Sequence, residues 1–285
     1  MKLGVVGSGQ VAQHIMHEAE KRDVEAVLIG RKDGKSVSNR KFDPSRHWEN
    51  VDSLLMAVSD VDLVINTAAF RDLGSCESNP ELAKQINSDL PRELAERGPR
   101  QIFISTDYVF RGLHESGRIE KDFTDAECVY GKSKAEGEAN VLSNDGVVVR
   151  IASPFGIYPS PERPSFVDSI VPKGIGLGKL ELPEDQIFTP TYLPDMAAML
   201  LDTIDTGGMT GVYHMANSGS VNWVDFTKSI FHIQGGSVKI EGVTRNDNLR
   251  PRNGALLNTR TPKMRHWMYA LDEYIKGSVR AEDRR

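Results

Sequence analysis

Cysteine is scarce in this chain: 285 residues hold two, Cys76 and Cys128. That scarcity excludes a disulfide framework, and the spacing matches no metal-ligand motif. It fits a reducing cytosol, so a cytoplasmic protein with no metal is expected. Long apolar runs are missing too. No stretch approaches the roughly eighteen residues a membrane-spanning helix needs. The opening run Met1–Val6 is broken by glycine too early for a secretory leader. An excess of positive charge is also lacking: 35 Lys and Arg face 40 Asp and Glu, for a net charge of −5. A general nucleic-acid binder would usually be basic. There is no internal repeat. What remains is an ordinary soluble composition, 39% hydrophobic and 26% charged, on a chain long enough for one large domain or two interleaved ones.

The N-terminus reads as strand, glycine turn, helix. Leu3–Val6 is a short apolar run, and Gly7-Ser8-Gly9-Gln10-Val11-Ala12 follows it. In the next stretch Val11, Ile15 and Ala19 share a helical face. The pattern is Gly-x-Gly-x-x-Ala. Its first glycine permits a tight turn, its second lets a pyrophosphate approach the backbone, and its small third residue lets helix pack on strand. Free N–H groups at the helix start then face the phosphates. An ordinary glycine turn is the bland alternative.

A second strand, Glu25–Ile29, ends at Gly30-Arg31-Lys32. NAD sites usually carry an acid here, about twenty residues past the glycines, to hold the ribose. Two cations in its place suit a 2′-phosphate, so NADP(H) is expected ahead of NAD(H). A solvated basic turn is the alternative. Phe42-Asp43 reads as the end of a third strand, with Asp43 placed to accept from an adenine amino group. Val51–Val58 reads as helix and Asp62–Asn66 as strand. The small turn Thr67-Ala68-Ala69-Phe70 after it lets a flat cofactor lie close. Pro80–Arg97 reads as one long helix with a kink or shift at Pro91. Asn87 within it either bridges backbone groups or faces solvent. Gln101–Ser105 and Val147–Ile151 are further strands. Strand and helix alternate, which predicts a parallel sheet of about seven strands covered on both faces, with ligands at the strands' carboxyl ends.

The texture then changes. Pro159, Pro161 and Pro164 cluster, and Gly174, Gly176 and Gly178 recur without a strand before them, so this reads as loop. Leu193–Ile204 reads as helix, Gly211–Ala216 as strand, and Trp223–Ile233 as a helix capped by Asn222. Leu249–Arg260 is irregular and basic, and Met264–Ile275 is a last helix.

The chemistry-bearing stretch is Ser105-Thr106-Asp107-Tyr108-Val109-Phe110, followed by Tyr130-Gly131-Lys132-Ser133-Lys134. Tyr130 and Lys134 are four apart, so a helix sets both on one face. A free phenol titrates near about 10, too high for efficient proton transfer at neutral pH. A neighbouring ammonium lowers that value, and Thr106 can hydrogen-bond the oxygen that receives the proton. An exposed lysine beside a half-buried tyrosine is the bland alternative.

These motifs resemble the extended short-chain dehydrogenases, and within them the dTDP-4-dehydrorhamnose reductases. The resemblance rests on Asn66–Phe70 with Cys76-Glu77 and Asn87, on Ser105–Phe110, and on Val129–Lys134 with Glu136 and Glu138. It continues through Thr189–Tyr192, Tyr213–Asn217 with Trp223, and Arg250-Pro251 with Leu256, covering nearly the whole chain. The run Ser105–Phe110 is fairly specific, because dehydratase relatives usually carry glutamate where Tyr108 stands. The resemblance implies an α/β, Rossmann-type doubly wound sheet with a smaller C-terminal cap. Residues 1–155, with 193–217 returning to them, would bind the nicotinamide cofactor, and 156–192 with 218–285 the substrate. Thr106, Tyr130 and Lys134 would be the catalytic triad. Asp107, Tyr108, Ser153, Thr191, Tyr192, Arg250 and Arg252 would lie near a nucleotide-sugar substrate. A homodimer is compatible with the sequence.

The chain departs from the family in three places. Its glycine turn is one residue shorter than the usual Gly-x-x-Gly-x-x-Gly. Ser153 stands where a tryptophan usually lies close to the sugar, which removes stacking area. Gly74 and Ser75 replace polar or charged residues, so an altered sugar pocket is expected. Three functions stay open: a reductase of a nucleotide-linked 4-keto sugar, an epimerase of the same superfamily, and a non-catalytic NADP-binding regulatory subunit resembling the methionine adenosyltransferase beta subunit.

Overall fold

The computed structural model describes residues 1–31, 45–157, 164–245 and 249–282, with side chains up to residue 277. Its centre is a parallel seven-stranded sheet. Six strands come in chain order: β1 Leu3–Val6, β2 Ala26–Arg31, β3 Arg46–Trp48, β4 Leu63–Asn66, β5 Gln101–Thr106 and β6 Val147–Ile151. The seventh is Gly211–His214. The spatial order is β3, β2, β1, β4, β5, β6, Gly211–His214, with every pairing parallel. The order reverses between β1 and β4, which opens a crevice at the carboxyl edge. Strand β6, Val-Val-Val-Arg-Ile, is buried along its whole length. Such a β-branched run fits a strand covered on both faces.

Helix α1, Gln10–Lys21, and the Leu193–Asp205 helix pack on one face, where Ile15 and Ala19 meet Met196 and Leu200 in one apolar cluster. The Val51–Ala57 and Leu90–Arg97 helices cover the other, with Leu54 and Leu94 buried. A separate aromatic cluster joins Phe155, Tyr192, Phe226, Trp267 and Tyr274 in the C-terminal part. No helix among the described residues is long and apolar enough to cross a membrane.

Three local readings change. The glycines after 173 do not form a loop: Phe166–Leu177 is a helix that contains Gly174 and Gly176 and ends at Gly178 in the left-handed region, φ 67°. Ser165 and Asp168 form a capping box at its start. Gly174 lets the Phe231 ring approach, since a Cβ there would stand 2.6 Å from that ring. Packing thereby offsets the roughly 1 kcal/mol a helical glycine costs. In the long 80–97 helix the shift falls just ahead of Pro91. The helix passes through a π-helical turn at Gln85–Asp89, after which Pro91 sits in the first turn of Leu90–Arg97. The described third strand is Arg46–Trp48, whereas Asp43 and Lys32 lie outside the described residues. Asn222 does cap the next helix, accepting from the Asp225 N–H at 2.8 Å.

Candidate active site

A cleft of about 1000 Å³ runs along the carboxyl ends of β1, β2, β4, β5 and β6. Gly7, Ser8, Gly9, Gln10 and Val11 line one part of it. Gly7 has φ 109°, open in practice to glycine alone, and a Cβ there would overlap the Thr67 hydroxyl. Gly9 caps α1 without a side-chain hydrogen bond, and nothing lies within 4 Å of where its Cβ would point. The Gln10 amide nitrogen is buried with no partner among the described residues. Bare backbone donors, open space and an orphaned amide together fit a bound pyrophosphate. Thr67, Ala68 and Ala69 continue this wall. The Thr67 hydroxyl donates to the Val6 carbonyl at 2.8 Å, and Asn66 Oδ1 accepts from the Ala68 N–H at 3.1 Å, so the small turn is held flat.

Asn87 bridges backbone groups. Its Oδ1 accepts from the Phe70 N–H at 2.9 Å, and its Nδ2 donates to the Phe70 carbonyl at 2.8 Å and to the Ser133 hydroxyl at 3.0 Å. The Ser133 hydroxyl in turn donates to the Tyr130 carbonyl at 2.9 Å. The π-turn thus ties the loop after β4 to the Val129–Leu142 helix. Gly131 lets that helix press onto the chain after β5, since a Cβ there would overlap the Tyr108 carbonyl oxygen.

Thr106, Tyr130 and Lys134 all line the cleft. Burial pushes the Tyr130 phenol up, and the Thr106 hydroxyl, hydrogen-bonded to it, and the Arg71 cation act against that rise. The phenol therefore stays protonated at neutral pH. Lys134 is fully buried, donates to the Ile104 carbonyl at 2.7 Å, and lies 3.6 Å from the Phe103 ring centre. Burial lowers its pKa to about 7, with Glu138 opposing. Asp107 accepts from the Thr106 hydroxyl at 3.1 Å, and burial raises its pKa to about 7. Tyr108 stands edge-on to Tyr130 with ring centres 5.5 Å apart, and Arg250 donates to its hydroxyl at 2.9 Å.

The remaining expected residues divide. Arg31, Ser153 and Arg250 line the cleft, and Ser153 holds a left-handed φ of 41°, a strained conformation for serine. Arg252 lines a smaller chamber of about 240 Å³ that shares Tyr108 and Arg250 with the cleft. Thr191 and Tyr192 are buried outside the cleft lining. The Thr191 hydroxyl accepts from the Ala152 N–H at 3.1 Å, and the Tyr192 ring packs 5.3 Å from Phe155, which does line the cleft. They support the wall from behind. Sequence reasoning missed Arg71, Trp48, Phe166 and Phe226 in the lining. Arg71 directly follows the small turn already singled out, so its position was a readable signal. The others come together only in the fold.

Over residues 1–279 the chain matches the family described as RmlD substrate binding domain. The chain belongs to this family. It is 31% identical over 247 residues to the dTDP-4-dehydrorhamnose reductase of Mycobacterium tuberculosis, covering 81% of this chain and 74% of the relative. The crystal structure of a dTDP-4-dehydrorhamnose reductase from Clostridium acetobutylicum superposes with a TM-score of 0.84 at 28% identity, covering 98% of this chain and all of that one. That of Bacillus anthracis, solved in complex with NADP, also gives 0.84, at 23% identity over 97% of this chain and 99% of that one.

One buried histidine ties the helix after the glycine turn to the chain beyond β6. His14 on α1 bonds the Gln10 carbonyl through Nδ1 at 2.8 Å and accepts the Ile157 N–H at Nε2, 3.0 Å away. A carbonyl on one side and an N–H on the other require the neutral ring with its proton on Nδ1. Burial pushes its pKa down to about 4. The unfolded chain takes up this proton near pH 6.5 and the native chain does not, so its contribution is lost as pH falls from about 6.5 to 4. Asp107, raised to about 7, has the opposite sign: the native chain holds its proton first. Comparison with a variant isolates the histidine. Against His14→Gln, wild-type stability should drop by up to about 3 kcal/mol between pH 7 and 4 in urea denaturation. Parallel pH profiles would show that His14 does not titrate in this way.

Proposed function

We propose that this protein is an NADPH-dependent reductase of a nucleotide-linked 4-keto sugar. The reading is carried by one observation: Thr106, Tyr130 and Lys134 converge on a cleft whose other part is a glycine turn and a bare helix N-terminus. The family supports it. The chain is an NAD(P)(H)-dependent oxidoreductase with its cofactor on the parallel sheet. Gly7, Gly9 and Gln10 would hold the pyrophosphate and Arg31 the adenosine end, while Lys134 would hold the nicotinamide ribose. When bound, the reduced nicotinamide supplies a hydride to the sugar's C4 carbonyl carbon. Tyr130 gives its phenolic proton to the carbonyl oxygen, Thr106 hydrogen-bonds that same oxygen, and the Lys134 ammonium favours the phenolate left behind. Arg250 would pair with the nucleotide's phosphates through its planar fork. Ser153, in place of a large ring, leaves room beside the sugar.

The test is a panel of nucleotide-linked 4-keto sugars followed by NADPH absorbance. Turnover with at least one of them is expected. Tight NADP binding without turnover across the panel would instead favour the regulatory-subunit reading, and turnover of the sugar without net NADPH consumption the epimerase. Arg31→Ala should weaken NADPH by about tenfold and leave NADH nearly unchanged, since an exposed ion pair contributes modestly. Equal weakening of both would mean that Arg31 does not contact the 2′-phosphate.

A further inference from the structure

Strands β2 and β3 end side by side, with Arg31 paired in register with Trp48. Both residues line the cleft. The Arg31 guanidinium carbon lies 5.7 Å from the centre of the Trp48 ring, within range of a cation–π contact. Trp48 is 7% exposed and joins the apolar cluster of Val6, Ile29, Leu54 and Val58. Its indole N–H is buried with no partner among the described residues. A desolvated donor left unpaired is a cost that phenylalanine or leucine in the same place would not carry. Apolar packing against the described residues therefore does not by itself call for an indole here. Among aromatic rings, however, indole holds a cation most strongly. Arginine has a long side chain with many rotamers, and ordering it on binding consumes affinity. A ring that already holds the guanidinium reduces that loss.

We propose that Trp48 is a positioning residue for the adenosine 2′-phosphate: its indole face holds the Arg31 guanidinium at the strand ends, ready for a phosphate monoester. The proposal rests on the reading of this chain as NADPH-preferring. It makes the preference a property of a pair, set by a residue that need not touch the phosphate.

Two ligands that differ by the 2′-phosphate test it, 2′,5′-ADP and 5′-AMP, with dissociation constants measured by calorimetry on the full chain. Both titrations use the same protein sample, so any loss of folded protein cancels in their ratio. Wild type should favour 2′,5′-ADP by about tenfold. Trp48→Leu should cut that ratio by about two- to fivefold, the usual strength of an exposed cation–π contact. Trp48→Phe, which keeps a weaker ring, should fall between. In an Arg31→Ala background, Trp48→Leu should change the ratio no further, because the ring acts through the guanidinium. A wild-type ratio in Trp48→Leu, or equal weakening of both ligands, overturns the role of Trp48 and leaves the NADPH reading standing. So does a Trp48 effect that persists without Arg31. A wild type indifferent to the 2′-phosphate overturns both.

Discussion

Tyr130→Phe is expected to lower turnover by about a hundredfold or more and to leave cofactor affinity intact. The substitution removes one hydroxyl and keeps the ring, so the edge-on contact with Tyr108 survives. The glycine turn and Arg31 lie on other elements and should be untouched. Lys134→Met should impair both turnover and cofactor binding, because the ammonium is asked to hold the ribose as well as to favour the phenolate. In the structure Lys134 is held by the Ile104 carbonyl, so the ammonium is already anchored beside the end of β5. Thr106→Val should cost less than either, since it deletes one hydrogen bond to the reacting oxygen and keeps the shape. Single-turnover NADPH oxidation with an active keto sugar measures all three. Wild-type rates in Tyr130→Phe would rule out this tyrosine as the acid.

The largest stability effect is expected from Glu138→Ala. Glu138 lies on the helix that carries Tyr130 and Lys134, and Arg150 lies on β6. Both are almost wholly buried, and they form a two-pronged pair at 2.9 and 2.6 Å. The Arg150 guanidinium also sits 4.8 Å from the centre of the Phe110 ring. Removing the carboxylate strands a charge where water cannot reach it, which costs about 3–5 kcal/mol. It also removes the charge that opposes the lowering of the Lys134 pKa, so that lysine should titrate lower still. Replacing both partners together, Glu138→Leu with Arg150→Met, should cost much less, because no lone charge remains. Chemical denaturation of the single and double variants gives the comparison. A loss under about 1 kcal/mol in Glu138→Ala would mean that water solvates Arg150.

Local pattern was enough for most elements of the sheet and for the spacing of the candidate catalytic residues on their helix. The apolar runs, the glycine turn and the alternation of strand and helix each express rules that act over a few residues. Tyr130 and Lys134 share a helix face at a fixed spacing, so their pairing was legible before any fold was known. The same holds for the Asn222 cap. Local rules also misled where packing overrode them. Gly174 and Gly176 suggested a loop, but a capping box and the ring of Phe231 make a helix there. Pro91 suggested a kink or shift at its own position, while the change of winding falls earlier, over Gln85–Asp89. Thr191 and Tyr192, which the resemblance set near the substrate, are buried outside the lining of the cleft.

The amino-acid sequence by itself determined the fold class, and it carried the glycine turn and the Tyr130–Lys134 spacing, because each of these is written in short patterns along the chain. Only the tertiary structure decided that Asn87 clamps Phe70 to the helix of Tyr130, that Arg71 acts on the phenol, and that Trp48 lies under Arg31. Those contacts join residues far apart in sequence, and no periodicity records which of many polar or aromatic side chains will meet. They follow from strand order and helix packing, which are set by burial of the whole apolar surface at once.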